Sequence, residues 1–329
     1  MKHLTQEQRY EISALLRAHH TKSEIAKIVG VHKSTITREI ARNSYLGTKL
    51  YYAGYAQRQA ESRVRMRSSN FKKSIPKYIF EYARKLIVEE QFSPEQVVGY
   101  CRRFGIKMCS HESLYKWIWK DKSYGGDVYK YLRRRGKKYK SRGSVNNSRS
   151  FIPDAVDISQ RPFEVNTRER FGDFEIDTIV GANGKQHILT VVERKTGLLL
   201  MRKLKEPNAY ETAQTLIDLL RPLAGLVKTI TSDNAKQFVM HKWIAEATGS
   251  SFFFARPYRS WERGTNENTN GLIRQYIPKR TDFDTLTEQD IIEIQWKINN
   301  RPRKRFDYLS PIEKLQIETE IDAKVAFDA

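Results

Sequence analysis

The sequence predicts a multidomain protein, with small all-α units at its front and an α/β domain built on a mixed sheet behind them. Three observations carry this. A chain of 329 residues is long enough for two or three domains. Charge is split: residues 1–150 hold 33 Lys and Arg against 12 Asp and Glu, whereas residues 151–329 hold 26 of each. Apolar residues recur at helical spacing up to about residue 132 and in strand-like runs from about residue 170.

The whole net charge of +21 therefore sits in the front half, the electrostatic footprint of a polyanion binder. A basic membrane-surface protein would carry similar charge. However, no apolar run approaches ~20 residues, and the N-terminus lacks the pattern of a signal peptide. The expected location is the cytoplasm, in association with the nucleoid, without a membrane partner. A disulfide between Cys101 and Cys109 does not suit that compartment. Cys109 and His111 would make half a zinc site whose other half is missing.

In chain order, Thr5 is an N-cap for a helix over 5–18, with Tyr10, Ile12, Leu15 and Leu16 at helical spacing. In TKSEIAKIVGVHKSTITREIARN, Ile25, Ala26, Ile28 and Val29 pattern one short helix, Gly30 a left-handed turn, and Ile36 and Ile40 a second helix. That is a helix-turn-helix over 1–45, a motif that places its second helix in the major groove of double-stranded DNA. Lys33, Ser34, Thr37 and Arg38 would face outward there. A basic helical connector follows over 46–74, with Arg63, Arg65 and Arg67 suited to tracking phosphates. A second helix-turn-helix-like unit spans 75–132. Its signals are an amphipathic helix, the helix start Ser93-Pro94-Glu95-Gln96, a stop at Gly105, and a Ser110-capped helix with Leu114, Trp117 and Ile118 inward. His111, Tyr115 and Lys116 would face outward. Residues 133–160 form a basic linker. Seven of residues 133–142 are Lys or Arg, among them Arg133, Arg134, Arg135, Lys137 and Lys138, and an arm lying along phosphates is expected.

From 161 to 284 the pattern is α/β. Three strands (DFEIDTIVG, QHILTVVER, GLLLMRKL) precede a helix that stops near Pro222, then strand VKTITSD, a helix over AKQFVMHKWIAEATG, strand SFFFA and a last helix. Strand-strand-strand-helix-strand-helix-strand-helix is the ribonuclease H-like order, with a mixed sheet. A helical tail follows over 285–329.

Three acids stand on separate elements of this domain. Asp177 lies in a strand, Asp233 just past the end of another, and Glu267 near a helix start, with Arg274 two turns further along the same helical face. Attack on a phosphodiester needs an activated oxygen nucleophile and neutralised phosphoryl charge. Two divalent ions supply both, and carboxylates suit Mg²⁺ or Mn²⁺. Asp173, Glu175 and Asp177 share one strand face, so spacing alone leaves the ligand among them open. Asp177, before Ile179 and Val180, fits best.

These segments carry a resemblance. GDFEIDTIVG, TSDNAKQF, RPYRSWERGTNENTNGLIRQYIPKRTDF, NNRPRKRF and SPIEKL, with SEIAKIVGVHKSTITREIARN at the front and SPEQVVGY and SHESLYKWI in the middle, resemble the insertion-sequence-30 family of DDE transposases over nearly the whole chain. The resemblance implies Asp177, Asp233 and Glu267 as a metal-binding catalytic triad, Arg274 as a residue that helps hold a DNA end, and the element's terminal inverted repeats as substrate. Ala235, Gln237, Arg256 and Arg259 depart from the family's common residues without touching the triad. The expected activity is metal-dependent DNA cleavage and strand transfer by a homodimer or higher oligomer. A DNA-binding repressor with a non-catalytic dimerisation half is the alternative, which the intact triad disfavours. An RNA-cutting nuclease is disfavoured by two units suited to B-form grooves.

Overall fold

The computed structural model describes residues 4–45, 50–70, 75–134, 152–182, 184–257 and 259–319, with backbone alone at 67–70 and 260. The chain divides into two compact units, Met1–Ile75 and Pro76–Ala329.

The first unit contains α1 (Gln6–Arg17), α2 (Lys22–Val29), α3 (Lys33–Asn43) and α4 (Ala53–Asn70). Thr5 with Gln8 and Thr21 with Glu24 form reciprocal capping boxes that satisfy the first free N–H groups of α1 and α2. Gly30 ends α2 at φ 71°, a left-handed conformation that costs a residue with a Cβ more than glycine. Ile12, Ile25, Ala26, Val29, Ile36, Tyr51 and Ala56 close a small core. Beneath it, buried Arg9 ties three helices together. Its guanidinium donates to Glu39 on α3 at 2.8 Å, to Gln57 on α4 at 2.7 Å and to the Leu4 carbonyl at 2.8 Å.

The second unit begins with α5 (Lys77–Glu89), α6 (Pro94–Arg103) and α7 (His111–Ser123), packed around Ile87, Val97, Leu114 and Ile118. The sheet follows, with β1 (Asp173–Val180), β2 (His187–Glu193), β3 (Leu199–Leu204), β4 (Thr229–Ser232) and β5 (Ser251–Phe254) in the order β3-β2-β1-β4-β5. β1, β2 and β3 pair antiparallel, whereas β1-β4 and β4-β5 pair parallel. Short α8 (Glu164–Thr167) precedes the sheet; α9 (Ala209–Leu220), α10 (His241–Thr248), α11 (Gly264–Tyr276), α12 (Glu288–Asn299) and α13 (Pro311–Thr319) lie among and after its strands. This is the expected mixed-sheet, ribonuclease H-like domain. β1, β2 and β3 each serve two cores, because their side chains alternate between faces. Phe174, Ile176 and Ile230 join Leu216 of α9 and Ile244 of α10. Ile179, Ile188 and Leu199 join Ile273 of α11 and Ile291 of α12 on the other side.

The edge strand β3 is covered by α12. Asn299 accepts from the Leu199 N–H at 2.8 Å and donates to its carbonyl at 2.7 Å, and Gln295 accepts from the Met201 N–H. Unpaired edge groups that would otherwise invite another strand are thereby filled.

Two features differ from the sequence expectation. The helix expected from Ala235 is split: the chain makes a 3₁₀ turn over Lys236–Phe238, and α10 starts only at His241. The cause is local, since the Asp233 carboxylate accepts from the Ala235 N–H at 3.2 Å and Ala235 is extended. In addition, α5–α7 belong to the same unit as the sheet. Arg103 is paired with Glu313 of α13 at 2.8 Å, Gln96 donates to the Pro302 carbonyl at 2.6 Å, and Tyr276 at the end of α11 donates to the Glu90 carbonyl at 3.2 Å. Arg301 donates to both Gln96 and Gln275, at 3.0 and 2.9 Å.

Candidate active site

β1 and β4 run parallel, with Asp173 beside Thr229 and Glu175 beside Thr231. Continuing that register brings Asp177 level with Asp233, which follows directly on β4. One guanidinium joins them. Arg263, at the N-cap of α11, lies 3.4 Å from the Asp177 carboxylate and 3.0 Å from that of Asp233, and donates to the Ile176 carbonyl at 3.1 Å.

The same helix meets β1 at three further places. Asn270 donates to the Asp177 carboxylate at 3.1 Å, and Arg274 donates to the Val180 carbonyl at 3.1 Å. Residues 263, 267, 270 and 274 are spaced four, three and four apart, so they form one stripe along α11. Glu267 falls in that stripe, between two residues that both touch Asp177. Arg274 is thus on the acid face, as expected from its spacing, with its guanidinium on backbone carbonyls.

Burial pushes the Asp177 carboxyl up to about 6, helped by neighbouring Asp233 and opposed by Arg263. Burial thus makes the ionised form of this carboxyl costlier than usual, and a further cation would favour it. Among the described residues no three His, Cys, Asp or Glu side chains gather at metal-binding distance. The donor chemistry nevertheless fits a hard divalent ion. Two carboxylates already converge on one cation, and Mg²⁺ is commonly held by one or two carboxylates completed by water and substrate phosphate.

The other two acids on this face of β1 have different work. Asp173 and Glu175 are fully buried. Asp173 is paired with Arg170 at 3.0 Å and accepts from Thr229 at 2.7 Å. Glu175 pairs with buried Arg194 and accepts from the Asn266 N–H at 2.8 Å. α11 has no side-chain cap of its own. Glu175 therefore supplies from the strand the partner that its first turn lacks, one residue before Glu267. Thr190 on β2 completes the joint, donating to the Asp177 carbonyl at 3.1 Å and lying 3.3 Å from the amide oxygens of Asn266 and Asn270.

Arg263, Asn270 and Thr190 were not singled out from sequence. Arg263 had a signal, since stepping back four residues from Glu267 along the stripe already used for Arg274 reaches it.

The expected DNA contacts divide. Lys33, Thr37 and Arg38 are exposed on α3, and half-buried Ser34 is tied to the capping ring of His32. On α7, His111 and Lys116 are exposed. Tyr115 differs from the outward placement expected of it. Three residues before buried Ile118, it stands at the edge of the apolar stripe and packs half-buried against the core. Arg133 is turned onto α11, donating to the Asn268 side chain at 2.9 Å and carbonyl at 3.2 Å. Arg134 is described beside it; Arg135, Lys137 and Lys138 lie outside the described residues.

Comparison with known proteins matches residues 1–43 to a helix-turn-helix domain family. The transposase for insertion sequence element IS4351 of Bacteroides fragilis is 48% identical over 96% of this chain and 96% of its own length. Transposase InsI for insertion sequence element IS30C of Escherichia coli (strain K12) is 30% identical over 95% of this chain and 83% of its own length. Among solved structures, the catalytic core domain of BIV integrase aligns at 20% identity and a TM-score of 0.36, over 45% of this chain and 93% of that one.

Proposed function

The chain belongs to the insertion-sequence-30 family of transposases, and from that premise we propose that Asp177, Asp233 and Glu267 are its catalytic triad for cutting and joining DNA at the terminal inverted repeats of its element. The observation that supports this is the convergence of Asp177 and Asp233 on one cation, Arg263, beside the α11 stripe that carries Glu267. In the reaction proposed, water attacks the phosphodiester at the element end and leaves a 3′-OH, which then attacks a phosphodiester of the target in line. No covalent bond to the protein forms.

Mg²⁺ or Mn²⁺, two per site, would neutralise phosphoryl charge and make the attacking hydroxyl more acidic. The protein's part is to hold the acids in place. Asp177 is fixed through Thr178 N–H at 2.8 Å and Asn270, Asp233 through Ala235 N–H, and Glu267 through the anchored start of α11. The helix-turn-helix unit grips duplex DNA, with Lys33, Thr37 and Arg38 presented by α3. Joining needs two ends together, and a symmetric homodimer is the economical assembly.

The test is cleavage of a labelled duplex bearing the flanking repeat. Asp177→Asn, Asp233→Asn and Glu267→Gln are each expected to abolish 3′-OH formation while repeat binding persists. Undiminished cleavage by any one of them removes that residue from the triad.

A further inference from the structure

A cavity of about 440 Å³ lies between the 3₁₀ turn Ile158–Gln160, α8 and the loop entering α11. Arg161, Arg168, Arg194 and Arg256 line it, and it reaches Gly264, next to Arg263. Among the residues lining it the one acid is Glu262. Arg194 is committed to Glu175, and Arg256 to Glu262 at 2.7 Å. Arg161 is only 9% exposed, yet its hydrogen bonds go to neutral groups, Thr231 at 3.0 Å and Asn166 at 2.7 Å, and its Nε has no partner. Burial, with Arg194 nearby, lowers the Arg161 guanidinium to about 10, and the same two causes lower Arg168. Crowded guanidiniums of this kind are stabilised by an anion.

Two aromatic rings stand at the same cavity. Phe163 is 77% exposed and Trp261 69% exposed. Exposed rings over a basic floor offer a base a stacking surface and its phosphate a partner, the combination that binds single-stranded nucleic acid. The volume suits one or two nucleotides and excludes a duplex, whose width far exceeds a pocket of this size.

We propose that this cavity seats an unpaired nucleotide of the DNA strand being processed, with its phosphate on Arg161 and Arg168 and its base against Trp261 or Phe163. The proposal rests on the transposase reading and adds where the strand lies next to the reacting bond. Leaving the stack is least costly for a base that is already unpaired, so the cavity favours frayed or forked ends over fully paired ones.

The experiment uses full-length protein and two duplexes carrying the flanking repeat, one fully paired and one with three mismatched nucleotides at the cleavage position. Affinities are read by fluorescence anisotropy at one fixed salt concentration. Wild type is expected to bind the forked duplex about tenfold more tightly, near the low end for a single base–aromatic stack. Phe163→Ala with Trp261→Ala should lose that preference and keep its affinity for the paired duplex within about twofold. Arg168→Ala should weaken the forked duplex alone. Both rings are exposed, so folding is expected to be spared, and paired-duplex binding reports it. Equal binding of the two duplexes by wild type, or an undiminished preference in the double variant, overturns the proposal. A 5-iodouracil in the fork should crosslink to Trp261 or Phe163; crosslinks confined to other residues also overturn it. Failure of the triad reading shows separately, as cleavage surviving Asp177→Asn.

Discussion

Glu175→Gln tests whether the strand holds the start of α11. The substitution keeps an oxygen for the Asn266 N–H but removes the charge that balances buried Arg194. Breaking a buried ion pair by neutralising one partner costs about 3–5 kcal/mol. Arg194 would then face Arg161 and Arg168 with less opposing charge, which places the loss toward the upper part of that range. For a unit of this size each kcal/mol moves the melting temperature by roughly 2–4 °C, so a fall of roughly 8–20 °C is expected. Removing both charges with Glu175→Leu and Arg194→Leu should be milder, because apolar replacements of a buried pair are often near neutral. What remains is the orphaned Asn266 N–H and the Val165 carbonyl that Arg194 now satisfies at 3.1 Å, each costing about 1–3 kcal/mol where it stays buried and finds no water. Guanidinium chloride unfolding of wild type, the single and the double variant measures this. Cleavage at a temperature where all three are folded then reads the position of Glu267. A Glu175→Gln loss under 1 kcal/mol, or a double variant less stable than the single, refutes the reasoning.

Three further outcomes are expected. Arg9→Met leaves Glu39 and Gln57 without their shared donor and should unfold the first unit, abolishing repeat binding; circular dichroism and anisotropy report both, and unchanged binding contradicts the role given to Arg9. Because the folded Asp177 carboxyl titrates near 6, above its ordinary value near 4, the folded state gains from the bound proton below about pH 4 and loses that gain as pH rises to about 6. Metal-free wild type should therefore fall behind Asp177→Asn by at most about 3 kcal/mol across that window, less for the part of the carboxylate that meets solvent, and a constant difference between the two rejects the shift. A Cβ at Gly99 would stand 2.1 Å from the Tyr308 ring, so Gly99→Ala should cost about 1–3 kcal/mol by overpacking, and adding Tyr308→Ala should recover part of it in thermal melts.

Much of this architecture was legible because it is local. Thr5, Ser93 and Ser110 act as caps where their side-chain chemistry placed them, and period-two apolar runs marked the strands. The stripe from Glu267 to Arg274 came from helical arithmetic alone. Less legible were matters settled between distant residues. Alternation put Asp173, Glu175 and Asp177 on one face, but only packing separates the two that are buried in ion pairs from the one beside Arg263. Gln96 looked like a capping residue and is one, yet its amide also holds the segment around Pro302, more than 200 residues away. Nothing in the periodicity of α7 distinguishes Tyr115 at the edge of the apolar stripe from a side chain in solvent.

The attachment of α5–α7 to the end of α11 and to α13 bears on which parts of two cooperating copies can change hands. Between α4 and α5 stand only six residues, whose contour from Asn70 to Lys77 is at most about 25 Å. The basic stretch after residue 132 lies within the second unit, where Arg103, Gln96 and Tyr276 moor α5–α7 to their own sheet domain. A subunit that lends its grip to its neighbour's DNA end can therefore lend the first 70 residues and little else. Whatever α7 holds stays with the unit that carries Asp177 and Asp233.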